Sequence, residues 1–98
     1  MAKKKIEAKG KPVIVRTYSA GVHFGYLSAR SGREVELNGS RRIWSWKGAN
    51  TLSEIANHGV GAGSRLAERV TIILTEAIEI ISCSAEAVRN LEAAVWQG

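Results

Sequence analysis

The stretch VIVRTYSAGVHFG at residues 13–25 decides how this chain of 98 residues begins to fold. Its first half, up to Tyr18, is rich in β-branched residues, which favours a strand. Ala20-Gly21 then supplies a turn, and residues 22–27 return to alternating apolar and polar character. The pattern predicts a β-hairpin with its turn at Ala20-Gly21. Gly25, inside the second strand, predicts the close approach of a ligand or of a neighbouring chain.

Two further turns extend this hairpin into a predicted meander of four antiparallel strands. Ser31-Gly32 marks one turn. Asn38-Gly39 marks the other, because both residues of such a pair tolerate the positive φ angles of a tight hairpin. Residues 33–37 alternate charged and apolar side chains, which is typical of a strand with one solvent-facing side. Residues 41–46 are then the fourth strand.

Two helices are expected in the second half of the chain. Thr51 and Glu54 fit a capping box, which predicts a short helix from Leu52 to His58 with Gly59 just beyond its end. Ser84 is the expected N-cap of a last helix, on which Val88, Leu91 and Val95 form an apolar stripe.

The segments around these helices complete the predicted architecture. Residues 59–64 are glycine-rich and predict a flexible connection. Apolar runs at 69–74 and 77–83 predict two more strands or one long strand bent at Thr75-Glu76. The expected fold class is therefore α+β, an antiparallel β-sheet meander with a short middle helix and a C-terminal helix.

The length and net charge of the chain limit which classes of function we expect. The chain is long enough for one domain, and its 14 Lys and Arg residues against 9 acids give a net charge of +5, which favours an anionic partner. Residues 1–11 are lysine-rich and predict a flexible tail before a ligand-binding domain at 12–98. No signal-peptide pattern and no apolar stretch of the roughly 20 residues that cross a bilayer is visible, so we expect a cytoplasmic protein without membrane contact.

Catalysis and metal binding are not expected. The one cysteine, Cys83, lies in an apolar run and is predicted to be a packing residue. His23 and His58 are far apart in sequence, so neither a metal-ligand cluster nor a nucleophile with an adjacent base is evident. We therefore expect a binding protein that uses no cofactor and no metal.

Two segments hold the candidate ligand-binding residues. In the first, at 41–47, strand alternation places Arg42, Trp44 and Trp46 on one face, where rings stack on bases and a guanidinium meets phosphate. The alternative is that both tryptophans belong to the core. In the second, at 16–23, small residues at a turn expose backbone N–H groups that hold phosphate oxygens. The alternative is an ordinary hairpin turn. The predicted ligand-binding residues are Arg16, Thr17, Tyr18, Ser19, Gly21, His23, Arg41, Arg42, Trp44 and Trp46.

A resemblance begins at these two segments and extends to two others. Four stretches of the chain resemble a group of small tailed-phage proteins: residues 13–25, the RRIWSW run at 41–46, LSEIA at 52–56 and ILTEAIEII at 73–81. That group is similar to the anti-CBASS 4 family of nucleotide sponges. The resemblance covers roughly residues 12–96. It implies sequestration, without cleavage, of a cyclic di- or oligonucleotide such as 3′3′-cyclic GMP-AMP, which would block CBASS signalling in the infected bacterial host. It further implies a homo-oligomer, a dimer or tetramer, that buries the ligand between subunits.

Other functions stay open on the sequence. A related sponge would be a Thoeris anti-defence protein that takes cyclic ADP-ribose-type signals. The net charge and the lysine-rich tail suggest a basic nucleic-acid-binding module, whose affinity would fall steeply with added salt. An inhibitor that docks on a host enzyme and a small hydrolase are the remaining alternatives.

Overall fold

The computed structural model describes residues 10–94, so most of the predicted tail and the predicted stripe residue Val95 lie outside the described residues. The first strand begins at Lys11. In chain order the elements are β1 (Lys11–Thr17), β2 (Val22–Ser31), β3 (Glu34–Ser45), α1 (Leu52–His58), β4 (Arg65–Leu66), β5 (Val70–Leu74), β6 (Ala77–Ser82) and α2 (Ala85–Ala93). The predicted α+β class, with an antiparallel sheet, a short middle helix and a C-terminal helix, is confirmed.

The strands of the described residues form one sheet that curls on itself. β1, β2 and β3 are successive antiparallel neighbours, and β6 pairs with the outer edge of β1. β5 pairs with the first half of β3, and the short β4 pairs with its end. Only Thr75 and Glu76 separate β5 from β6, so this bent segment joins the two sides of the meander. Of the two alternatives that the sequence left open, two separate strands are therefore observed, and not one long strand bent at Thr75-Glu76.

The prediction of a hairpin turn at Asn38-Gly39 is wrong. β3 runs without interruption from Glu34 to Ser45, and Gly39 has a φ of 56° inside it. Phe24 of β2 pairs with Arg41, whereas Tyr26 pairs with Asn38, so β3 carries one extra residue between these pairs. This is a β-bulge. A bulge uses the same left-handed glycine as a tight turn, so the local sequence does not distinguish them.

Gly25 lies opposite this bulge. A Cβ atom at Gly25 would stand 3.1 Å from the Cβ of Leu37 and 3.2 Å from the Cα of Ser40. The close approach that the glycine predicted is therefore made by the neighbouring strand β3 of the same chain.

Two cores lie on opposite faces of the sheet. The helix-side core includes Ile14, Phe24 and Ile43 from strands and Ile55 and Leu91 from the helices. The inner core, within the curl, consists of Val13, Val15, Val35, Leu37, Leu74 and Ala77. β1 is buried on both faces because it separates the two cores. Because the bulge adds one residue to β3, it reverses the face on which odd-numbered side chains lie. Val35 and Leu37, before the bulge, belong to the inner core, whereas Ile43, after it, belongs to the helix-side core.

Local capping fixes both helices where the sequence predicts them. The backbone N–H of Glu54 donates to Thr51 Oγ1 at 3.2 Å, and Glu54 Oε1 accepts from the N–H of Asn50 at 2.7 Å. Gly59 ends α1 with a φ of 86°. Ser84 Oγ accepts from the N–H of Ala87 at 3.0 Å and caps α2.

Side-chain bonds hold the segment after α1 in place. Asn90 of α2 accepts from the N–H of Val60 at 2.8 Å and donates to its carbonyl at 2.9 Å. The N–H of Gly61 donates to the carbonyl of Lys47 at 2.7 Å, and the N–H of Lys47 donates to Ser64 Oγ at 2.9 Å. The glycine-rich connection is thus bonded at both ends. Within residues 10–94, neither helix is long and apolar enough to span a membrane.

Candidate functional site

A cavity of about 400 Å³ opens where β1, β6 and the start of α1 meet. Arg16 reaches it from β1, Trp46 from the segment just after β3, and Glu79 from β6. Asn50, Thr51 and Ser53 add polar groups from the start of α1. The fold therefore brings together Arg16 and Trp46, which the sequence had placed in two separate candidate segments. We call this the Arg16–Trp46 cavity.

One wall of this cavity is apolar. Trp46 lies beyond the last residue of β3 and is partly buried, packing with Val22, Leu52 and Ile81 against the helix-side core. Trp46 thus contributes to the core, and its ring also lines the cavity, while its contact with a ligand stays a prediction. A rigid indole held from one side is suited to stacking on a flat ligand group.

The cavity also holds an exposed ion pair. Arg16 Nη1 lies 3.6 Å from Glu79 Oε1, and both side chains are about half exposed, at 52% and 49%. Exposed pairs of this kind contribute little to stability, from about 0 to 1 kcal/mol. An anionic ligand that enters the cavity can therefore compete with Glu79 for the Arg16 guanidinium.

Four predicted residues hold the β1–β2 turn. Thr17 Oγ1 donates to the carbonyl of Gly21 at 2.8 Å and accepts from the N–H of Ala20 at 2.8 Å. The carbonyl of Ala20 accepts from His23 Nε2 at 2.9 Å and also from the guanidinium of Arg42. Gly21 supports the turn with a φ of 90°. Thr17, His23 and Arg42 therefore use their side chains to bond the backbone of this turn, and Gly21 provides its left-handed conformation.

The pKa of His23 reflects this position. The side chain is only 1% exposed, and its burial lowers its pKa, with the charge of Arg42 acting in the same direction. The hydrogen bond to the Ala20 carbonyl opposes that shift. His23 is therefore neutral at pH 7 and donates from Nε2, because a carbonyl only accepts.

Tyr18 and Ser19 lie away from the Arg16–Trp46 cavity. Tyr18 is 79% exposed and lines a cavity of about 520 Å³ together with Arg33, Glu76 and Ile78. Ser19 Oγ donates to Glu76 Oε1 at 2.6 Å. These two residues follow Arg16 closely in sequence, but they do not line the Arg16–Trp46 cavity.

Arg41 belongs to the framework of the fold. Its side chain is 2% exposed, and it donates from Nε to the carbonyl of Ala67 at 2.9 Å and from Nη1 to the carbonyl of Leu91 at 2.8 Å. Burial lowers its pKa. The predicted alternation is observed for residues 41–44, where Arg41 is buried and Arg42 is exposed, but it does not continue to Trp46, which lies beyond β3. The guanidinium of Arg41 is directed to α2 and not to solvent.

Trp44 occupies an exposed position away from the Arg16–Trp46 cavity. It is 47% exposed, and the guanidinium carbon of Arg65 lies 5.1 Å from its ring centroid. That distance is within the range of a cation–π contact. Trp44 and Trp46, which strand alternation predicted on one face, therefore have different surroundings.

Glu79 is the charged residue of the cavity that was not among the predicted ligand-binding residues. It is the single charged residue in the apolar run Ala77-Ile78-Glu79-Ile80-Ile81. That isolation was a usable signal, because a charge in a strand buried on one side marks the solvent-facing or ligand-facing position. Asn50 and Ser53 carried no comparable signal.

The described residues show no cluster of three potential metal ligands among His, Cys, Asp and Glu. Cys83 packs against the helix-side core, and burial raises the pKa of its thiol to about 12. A thiol in this environment stays protonated at neutral pH and is a poor nucleophile.

Residues 10–91 match the model of a protein family described as a domain of unknown function (DUF6948). No curated protein and no solved structure matches the chain.

Proposed function

We propose that this chain, which belongs to the family described as a domain of unknown function (DUF6948), binds a small cyclic oligonucleotide and sequesters it without cleavage. The observation that carries the proposal is the meeting of Arg16 and Trp46 on the wall of one cavity of about 400 Å³. That volume lies in the lower part of the range of ligand pockets, about 300–1,000 Å³. A cyclic oligonucleotide offers the bases and phosphates that these two side chains bind.

The energetics favour a ligand that is shared between copies of the chain. Stacking on a ring contributes about 1–3 kcal/mol per base, and nanomolar affinity needs about −12 kcal/mol. One base on Trp46 and one charge-assisted contact to Arg16 fall short of that total. The sugar–phosphate backbone of a cyclic dinucleotide is two-fold, so binding at a two-fold interface places one base and one phosphate at each subunit's copy of the cavity. A homo-oligomer is therefore part of the proposal.

The side chains of the cavity support binding in preference to hydrolysis. Of its lining residues, only Arg16 and Glu79 carry charged side chains, and they face each other as an ion pair. Hydrolysis of a phosphodiester needs a positioned base or a metal-bound water. The histidine nearest in sequence, His23, is buried and bonded to the turn.

The sequence resemblance adds the ligand and the setting to this proposal. The ligand is a cyclic GMP-AMP-like immune signal, and the chain acts in the cytoplasm of an infected bacterium. There it would deprive the CBASS effector of its activator.

A depletion experiment tests sequestration directly. The protein is incubated with cyclic GMP-AMP, the filtrate is assayed, and the retained protein is then heat-denatured to release what it holds. We expect a depleted filtrate and recovery of intact nucleotide after heating. If no cyclic di- or trinucleotide of a panel is depleted, the proposal is wrong, and recovery of linear product would identify a hydrolase instead.

A matched pair of arginine variants locates the binding site. Arg16→Ala removes the phosphate contact, and we expect it to weaken binding about tenfold or more. Arg89→Ala removes the same charge from an exposed position of α2 that does not line the cavity, and we expect affinity within about twofold of wild type. Equal losses in both variants would mean that net charge, and not this cavity, binds the ligand.

One observation favours a second candidate, a single-stranded nucleic-acid-binding module. The exposed Trp44 with Arg65 over its ring, on a chain of net charge +5, resembles a stacking platform. This candidate predicts oligonucleotide binding that falls steeply with added salt and depends on Trp44. Binding of a cyclic dinucleotide that falls only modestly with added salt and does not depend on Trp44 distinguishes the sponge from it.

A further inference from the structure

We propose that Glu79 reads the guanine base, so that the Arg16–Trp46 cavity prefers guanine-containing cyclic nucleotides to those with adenine alone. This inference rests on the proposed function and names the base that the site selects. Glu79 stands directly across from Arg16 in the β1–β6 register, and both side chains line the cavity that also contains the Trp46 ring. A stacking surface, a cation and a carboxylate are thus present in one cavity.

A carboxylate is an unexpected group on the wall of an anion site. It repels phosphate, and its ion pair with Arg16 is long, at 3.6 Å, and about half exposed. Once the Arg16 guanidinium turns to a phosphate, the Glu79 oxygens lose this partner while the ligand excludes water from them. A carboxylate in that position needs new hydrogen-bond donors, since an unpartnered buried charge is strongly unfavourable.

Guanine supplies those donors in the required arrangement. Its Watson–Crick edge presents N1–H and the exocyclic N2–H side by side, one for each carboxylate oxygen. Adenine and cytosine present a single amino donor next to a ring nitrogen whose lone pair would face the second oxygen. Uracil presents one N–H between two carbonyls. Only guanine satisfies an ionised carboxylate, which accepts and does not donate.

The amide variant Glu79→Gln is expected to change the base preference. Glutamine offers one acceptor and one donor, a pattern that complements the amino group and adjacent ring nitrogen of adenine. Because Glu79 is half exposed and lies on the surface of β6, the substitution leaves the cores intact. The matched control is Glu68→Gln, which makes the same change at an exposed residue that does not line the cavity.

The test is a set of calorimetric titrations of the full chain with cyclic di-GMP and with cyclic di-AMP. We expect wild type and Glu68→Gln to bind cyclic di-GMP about tenfold or more tightly than cyclic di-AMP. We expect Glu79→Gln to lose that preference or to invert it. Equal affinities in wild type, or a guanine preference that survives in Glu79→Gln, would overturn the role of Glu79 while sequestration stands. Failure of wild type to bind either probe, or any nucleotide of the panel above, would overturn both proposals.

Discussion

The buried guanidinium of Arg41 ties three parts of the chain together. It joins β3 to the carbonyls of Ala67, after β4, and of Leu91, in α2. We expect Arg41→Ala to lower the free energy of unfolding by about 2–4 kcal/mol, because the buried carbonyl of Leu91 and the partly buried carbonyl of Ala67 lose their donor. Urea denaturation measures this. The control is Arg42→Ala, whose side chain is exposed and whose loss we expect to cost about 1 kcal/mol or less. If the Arg41→Ala variant is as stable as wild type but fails to bind ligand, Arg41 belongs to the binding site and not to the framework of the fold.

His23 makes stability depend on pH in a defined direction. Its pKa in the folded chain is lowered by burial, whereas in the unfolded chain it is about 6.5. Below about pH 6.5 the unfolded chain therefore binds more protons, and stability falls as pH decreases toward the lowered value. We expect His23→Gln, which keeps an N–H donor for the Ala20 carbonyl, to lose this part of the pH dependence. Unfolding free energies at about pH 7.5 and about pH 5 test it. Identical pH profiles for wild type and variant would show that His23 does not titrate on unfolding.

At the scale of elements, the bulge in β3 depends on Gly25 of β2. We expect Gly25→Ala to lower the free energy of unfolding by about 3 kcal/mol, because the new methyl group meets the backbone of Ser40 and cannot be relieved by a rotamer change. Gly32→Ala is the control. Gly32 has a φ of 60° but no atom within 4 Å of its added Cβ, so we expect a cost of about 1 kcal/mol from backbone strain alone. Thermal or urea unfolding compares the two, and equal costs would mean that the contact with Ser40 is easily relieved.

The elements also show which features a sequence predicts. Both helices begin where predicted because their signals, Thr51 with Glu54 and Ser84 with its α2 amide, act within one turn of the chain. The state of Asn38-Gly39 could not be predicted in the same way. Whether such a pair closes a turn or forms a bulge depends on β2 and β5, which lie elsewhere in the sequence. The two-residue β4 has no pattern of its own and was missed for the same reason.

At the scale of the whole molecule, the Arg16–Trp46 cavity is a product of the curled sheet. β6 returns beside β1 and sets Glu79 across from Arg16, and the chain leaving β3 carries Trp46 to the start of α1. Composition and alternation could predict that arginine and tryptophan are the useful residue types. They could not predict which of them meet, because that depends on contacts between segments more than 25 residues apart in sequence. Arg41 and Trp44 fit the same residue pattern and lie elsewhere.

The most direct test of ligand binding in this cavity compares the two tryptophans that the sequence could not tell apart. Cyclic GMP-AMP is titrated calorimetrically into wild type, Trp46→Leu and Trp44→Leu, since leucine keeps apolar packing and removes the stacking ring. We expect Trp46→Leu to bind about tenfold more weakly or worse, in line with the loss of one stacked base, and Trp44→Leu to bind within about twofold of wild type. Undiminished binding by Trp46→Leu, or a loss confined to Trp44→Leu, would contradict a nucleotide site in the Arg16–Trp46 cavity.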